Sequence, residues 1–336
     1  MVSLLYRKTL DRSVHYEARQ WVRDGLINAC RRHESDPYRA WPMKLLLLAL
    51  VPACFAFNPV SGRALVDAFG PATLTLVRWS LSGLVIATIA LMRPGSERWQ
   101  APLSHLLQLM VLAAFGMGFC SIAAYIASRT TEATNIGLIY GCASAFVAVW
   151  EVIAGRQAAS ALLITGISAC LLGAILILTK GHPDAIAALR FNPGDLWAAA
   201  GMLVFVGYTV VMRRVPARLT PMPQFAVMTV GASIAMLPFA ANEIVSMGLP
   251  AIDARTLPWI AVVVLATGIG AYLGYNISLT LNGPVLTSAS LTLTPVFAAV
   301  QAMALIGEKL GWYHAVAIPL VVMGLLLISR SQRARS

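Results

Sequence analysis

Two charged residues stand inside long apolar stretches, Arg78 and Glu151, and chemistry would have to start from them. Arg78 follows Pro71 by seven residues, which puts it about 10 Å along a helix where the hydrocarbon midplane lies at about 15 Å. A guanidinium at depth costs about 2.5–3.5 kcal/mol on insertion scales, so it needs a partner or a watered cavity. It either snorkels to the interface on its long stem or meets the anionic part of a solute. Glu151 lies about three residues, roughly 5 Å, before the expected end of its helix. It reads either as an interfacial acid near Arg156 or as a coupling acid that carries a proton. The uncharged polar residues within apolar stretches are Asn58, Tyr125, Tyr140, Tyr272, Tyr275, Asn276 and Gln301. Asn58 precedes Pro59, which interrupts helical hydrogen bonding and can leave carbonyls to a cavity. Tyr272, Tyr275 and Asn276 are spaced i, i+3, i+4 and share one helix face. With Arg78, the set Asn58, Tyr140, Tyr272, Tyr275, Asn276 and Gln301 can wall a site for a small polar or amphipathic solute. Each can equally serve as an interhelical hydrogen bond.

Other signals carry less. The histidines (His15, His33, His105, His182, His314) have no ligand spacing, so no metal is expected. The five cysteines form no CxxC pair and read as packing residues. Gly116-x-Gly118 and Gly268-x-Gly270 have no strand before them and do not read as a dinucleotide loop. No catalytic pair is evident, so neither an enzyme nor a cofactor is expected.

The elements that must position these residues follow from composition. The chain is 58% hydrophobic and only 12% charged, where soluble domains carry about 25% charge. Too few charged residues remain to coat a water-facing surface. The apolar residues come in blocks long enough for a helix to cross about 30 Å of hydrocarbon. The expected spans are 44–62, 71–92, 103–127, 133–154, 159–179, 195–214, 223–241, 256–279, 284–306 and 312–329. The fold class is therefore an all-α membrane protein with about ten transmembrane helices. The net charge of +11 does not imply a nucleic-acid partner, because its residues sit at the chain ends and between apolar blocks.

The chain also resembles itself. At an offset of 150, Leu46 meets Leu196, Arg63 meets Arg213, Pro71 meets Pro221 and Val77 meets Val227. At 152 the two Gly-x-Gly pairs align, and at 153 Val147 meets Val300 and Arg156 meets Lys309. Five spans per copy is an odd number, so the second copy must enter the membrane from the opposite side. Two inverted five-helix repeats can hold a site near the midplane and expose it to either face in turn.

Residues 44–330 resemble the drug/metabolite transporter superfamily, in its EamA-type ten-helix form. The resemblance is carried by Phe57-Asn58-Pro59, Leu76-Val77-Arg78-Trp79, Asn192-Pro193-Gly194-Asp195-Leu196-Trp197, and Thr294-Pro295-Val296-Phe297 leading to Gly307-Glu308-Lys309-Leu310. The first copy departs from the last pattern, with Ala154-Gly155-Arg156 at the turn and Cys142 in place of the proline. The resemblance implies a secondary transporter, an exporter of metabolites or drugs. An organophosphate or nucleotide-sugar exchanger, or a non-transporting assembly or lipid-binding protein, is the alternative. The expected organisation is a basic tail over 1–43, or an overextended start ahead of Met43, then repeats over 44–180 and 192–330 and a basic tail over 331–336. With both ends inside, 18 of the 25 Lys and Arg residues fall on the inner side and six on the outer. This predicts a cell-membrane protein with cytoplasmic termini. Its partners are then a small solute and the lipid bilayer, with a homodimer left open.

Overall fold

The computed structural model describes residues 37–92, 99–155, 160–182, 192–212, 214–216 and 218–333; the side chains of Glu151 and Asn276 are not among those described. Residues up to Leu46 and residues from Leu47 onward form two compact units. In the first, the described part is helical from Pro37 onward. The second unit holds the remaining elements.

Every described element is helical. The order is α1 (Pro37–Leu65), α2 (Pro71–Leu91), α3 (Leu103–Ala113), a π-helical segment π1 (Ala114–Phe119), α4 (Cys120–Ala127), α5 (Ala133–Gly141), α6 (Ala143–Ile153) and α7 (Ala161–Leu178). The chain continues through α8 (Pro193–Met212), α9 (Pro221–Met247), α10 (Thr256–Ala261), a second π-helical segment π2 (Val262–Gly270), α11 (Ala271–Ser290), a short 3-10 turn (Leu291–Leu293), α12 (Thr294–Ile306) and α13 (Trp312–Arg333). Among the described residues, seven helical runs are long and apolar enough to cross a membrane, and three shorter apolar helices accompany them.

Local chemistry sets the boundaries. Pro71, Pro193 and Pro221 open α2, α8 and α9, where a missing N–H costs nothing. Gly307 closes α12 at φ 70°, the left-handed conformation that ends a helix at low cost. One expected boundary moves. The ninth span is expected to start after Gly283-Pro284, but α11 runs through both residues and the break comes at Leu291–Leu293. The ninth apolar element is thus the 13-residue α12. Proline weakens a helix by removing one bond, and neighbouring helices in a membrane can make good that loss.

Packing follows the internal offset. α9 lies along α2, α13 along α7, and α12 against α5. The α7–α13 contact is close because it is made through glycine: a Cβ on Gly324 would lie 2.6 Å from the Gly166 carbonyl oxygen. Outward faces carry exposed apolar side chains such as Leu84, Phe115, Leu172 and Phe239. Buried apolar residues sit between helices, as with Leu138, Cys142, Leu163, Ile177 and Val321 among α5, α6, α7 and α13. This inside-and-outside apolarity suits lipid as solvent.

Candidate functional site

Arg78 sits on the second turn of α2 and does not snorkel. It is 3% exposed. Its Nη1 donates to Asn58 Oδ1 at 2.5 Å and to Ser121 Oγ and Tyr125 OH, each at 3.3 Å. Nη2 donates to the Thr267 carbonyl at 3.1 Å, and Nε is buried without a hydrogen bond. The guanidinium carbon lies 4.3 Å from the centre of the neighbouring Trp79 ring. No described carboxylate pairs with it.

Four elements meet at this point, and the reason lies in their sequences. Asn58 comes from α1, one residue before Pro59, and its side chain makes the contact to Arg78. Ser121 and Tyr125 are four apart on α4 and so share a face. Tyr125 also donates to Asn58 Oδ1 at 3.2 Å. The π segments supply the rest. A π turn misaligns the helical ladder and leaves carbonyls free to accept other donors. In π1, the Met117 carbonyl accepts from Trp79 Nε1 at 3.1 Å. In π2, Thr267 accepts from Arg78, and Val264 accepts from Ser82 Oγ at 3.2 Å. The two Gly-x-Gly pairs lie one in each segment, so the repeated glycines mark the repeated distortions. Glycine is needed there for proximity as well: a Cβ on Gly268 would stand 2.0 Å from Ser82 Oγ.

An aromatic cluster adjoins the guanidinium. Tyr272 has its ring centre 5.6 Å from Trp79, 5.4 Å from Phe225 and 5.7 Å from Phe55. Tyr275 contacts Phe55 as well, at 6.5 Å, so the two tyrosines do share a face of α11. Tyr140 lies within electrostatic range of Arg78, but its OH donates to the Cys120 carbonyl at 2.8 Å. Gln301 stands apart: its Nε2 donates to the Ala53 carbonyl at 3.1 Å and its Oε1 is buried without a partner. The roles expected of Glu151 and Asn276 concern side chains outside those described. The four described cysteines are free and buried, consistent with packing.

Three further polar arrangements lie outside this site, and their contacts do not follow from the sequence. Glu243, near the end of α9, accepts from the backbone N–H groups of Ala72 and Thr73 at 3.0 and 2.8 Å, capping α2. Glu308 caps α5 in the same way, through Ala133 and Thr134 at 2.7 and 3.2 Å. Carboxylates are favoured at helix N-termini by the exposed N–H groups and the helix dipole. A third cluster joins the starts of α5, α8 and α13. Thr131 donates to the fully buried Asp195, while His314 bonds Asn135 Oδ1 at 2.9 Å and accepts from the Gly311 N–H at 2.9 Å. Glu132 Oε2 lies 3.7 Å from His314 Nε2. In the sequence, Asp195 and Glu308 stand within two of the segments that carry the family resemblance, whereas Glu132 and Glu243 are marked only by lying within a few residues of a helix end.

The model of the EamA-like transporter family matches residues 42–179 and again 192–330. A Bacillus subtilis protein named "Uncharacterized transporter YyaM" is 22% identical over 264 residues, covering 79% of this chain and 86% of that one. A second relative, "Uncharacterized transporter" of Archaeoglobus fulgidus, is 23% identical over 297 residues, covering 85% and 97%. A solved crystal structure shares the fold with a TM-score of 0.54 at 18% identity, covering 86% of this chain and 99% of that one.

Proposed function

Because the chain belongs to the EamA-like transporter family, we propose that it is a secondary active transporter that exports a small solute by alternating access. Its two halves, 44–180 and 192–330, act as inverted five-helix repeats, and the ten spans comprise the seven long runs and the three shorter apolar helices. The observation that carries this reading is the pair of π segments. They come from matching places in the two halves, their Gly-x-Gly pairs 152 residues apart, and both hand backbone carbonyls to α2 at the buried Arg78–Trp79 pair. A site built jointly by equivalent helices of two repeats is the arrangement that rocking between two faces requires. Arg78, Asn58, Tyr272 and Tyr275 form the solute site in this reading, with Tyr140 at its edge. Gln301, together with Asn276 and Glu151, belongs to the proposed set on sequence grounds. Energy comes from a proton or solute gradient.

The test is uptake and counterflow in proteoliposomes with a panel of amino acids, sugars, organic anions, phosphates and cationic compounds. Gradient-dependent flux of at least one class is expected. Absence of flux across the whole panel, with correctly inserted protein, sinks the proposal. An exchanger of dianionic phosphates would call for paired basic residues at the site, and Arg78 is the single buried cation among the described residues.

A further inference from the structure

We propose that the solute is an organic monoanion whose carboxylate docks on the Nε/Nη2 edge of Arg78 and whose apolar body lies on the ring cluster of Trp79, Tyr272, Phe225 and Phe55. This rests on the transporter reading above and adds the chemical class of the solute.

The two edges of the guanidinium differ. Nη1 is held by three side-chain oxygens, from Asn58, Ser121 and Tyr125. These bonds fix the plane of the group. The other edge presents Nε, which is buried and bonded to nothing, and Nη2, whose partner is the Thr267 carbonyl of π2. Nε–H and one Nη2–H point the same way, at the spacing of the two oxygens of a carboxylate, and a bidentate pair there is the strongest contact an arginine makes. The Thr267 carbonyl belongs to a distorted helical segment, so it can be exchanged for a solute oxygen without breaking a regular ladder.

Charge sets the valence. All of the hydrogen-bond partners of Arg78 are neutral, and no described carboxylate lies within ion-pair distance. A cation left uncompensated in a low-dielectric interior is costly, and one bound negative charge removes most of that cost. A second negative charge would find no cation, because the matching position in the second half is the buried Met228. The site therefore favours a carboxylate over a phosphate monoester. The rings beside the guanidinium carry no formal charge, which suits an apolar body rather than a second polar head.

The test uses the purified full-length protein in detergent, with ligand-induced thermal stabilisation and tryptophan fluorescence as readouts. Phenyllactate is compared with phenyllactamide, its neutral isostere, and with phenyl phosphate, a dianion. The wild type is expected to bind the carboxylate about tenfold or more tightly than the amide, the usual difference for a hydrogen-bonded charge. Arg78→Gln should erase that preference. Asn58→Asp, which supplies an internal counter-ion, should weaken carboxylate binding while keeping or raising the melting temperature, so the proposal stays testable if Arg78→Gln does not fold. Equal binding of acid and amide by the wild type overturns the proposal, as does a preference that survives Arg78→Gln. Flux of a neutral or cationic solute that Arg78→Gln leaves unchanged would also overturn it, while leaving the transporter reading intact.

Discussion

At the scale of single residues, the decisive distinction is between a polar group that is merely buried and one that is positioned. His314 is positioned. It is fully buried and links the Gly311 turn at the start of α13 to Asn135 on α5. Replacing it with Ala strands a buried amide oxygen and a backbone N–H, each loss costing about 1–3 kcal/mol. A clear fall in melting temperature is expected, with partial recovery in His314→Gln, which retains a donor and an acceptor. Gly201 makes the same point through space. A Cβ there would lie 2.2 Å from the Tyr140 hydroxyl. Gly201→Ala should therefore push Tyr140 off the Cys120 carbonyl and destabilise the protein by about 1–3 kcal/mol, the usual cost of overpacking. An unaltered melting temperature would show that Tyr140 is free to move.

The element scale explains why α2 can carry a buried charge at all. Its start is held by the Glu243 carboxylate and its middle by carbonyls from both π segments. Gly70 makes room for that cap, since a Cβ there would fall 2.1 Å from Glu243 Oε2. Glu308 caps α5 in the same manner. Both capping residues come from the second half and both capped helices from the first, so each carboxylate joins the two halves. Glu243→Gln and Glu308→Gln should each lower stability by about 0.5–2 kcal/mol, the range for a lost helix cap. They should also loosen that contact, read as faster labelling of a cysteine placed at Ala72 or Thr134. Labelling rates equal to the wild type would remove any role in joining the halves. The α7–α13 pair is tested separately. Gly324→Leu would force its side chain against the Gly166 carbonyl and Cys170, which backbone cannot accommodate, so loss of stable protein is expected on melting in detergent.

At the scale of the whole molecule, the prediction concerns which way the chain threads the bilayer. The excess of basic residues at the ends and in the expected inner loops predicts that both termini lie in the cytoplasm. Reporter fusions at Ser96 and Ala158 should then read inside and one at Pro183 outside; any other pattern overturns that orientation. Of the proposed solute site, Arg78, Asn58, Tyr272 and Tyr275 were legible from the sequence as polar residues out of place in apolar blocks. Tyr125 was legible in the same way, but its direct contact to Arg78 was not. Gln301 was legible too, yet it meets α1 at Ala53 instead of joining the arginine.

The sequence by itself determined the solvent and the two-copy plan of the chain. Apolar blocks with too little charge for a water-facing surface demand lipid, and a near-constant internal offset marks two copies of one unit. Prolines and glycines at block ends fixed most helix boundaries, because their backbone restrictions are local. Only the tertiary structure decided what the buried charge meets. Whether Arg78 snorkels or stays depends on acceptors 20, 43, 47 and 189 residues away in the chain. The π turns that free one of those acceptors leave no local signature beyond a repeated Gly-x-Gly. Hydrogen bonding across helices is set by which faces oppose one another, a property of the packed bundle that no single segment encodes.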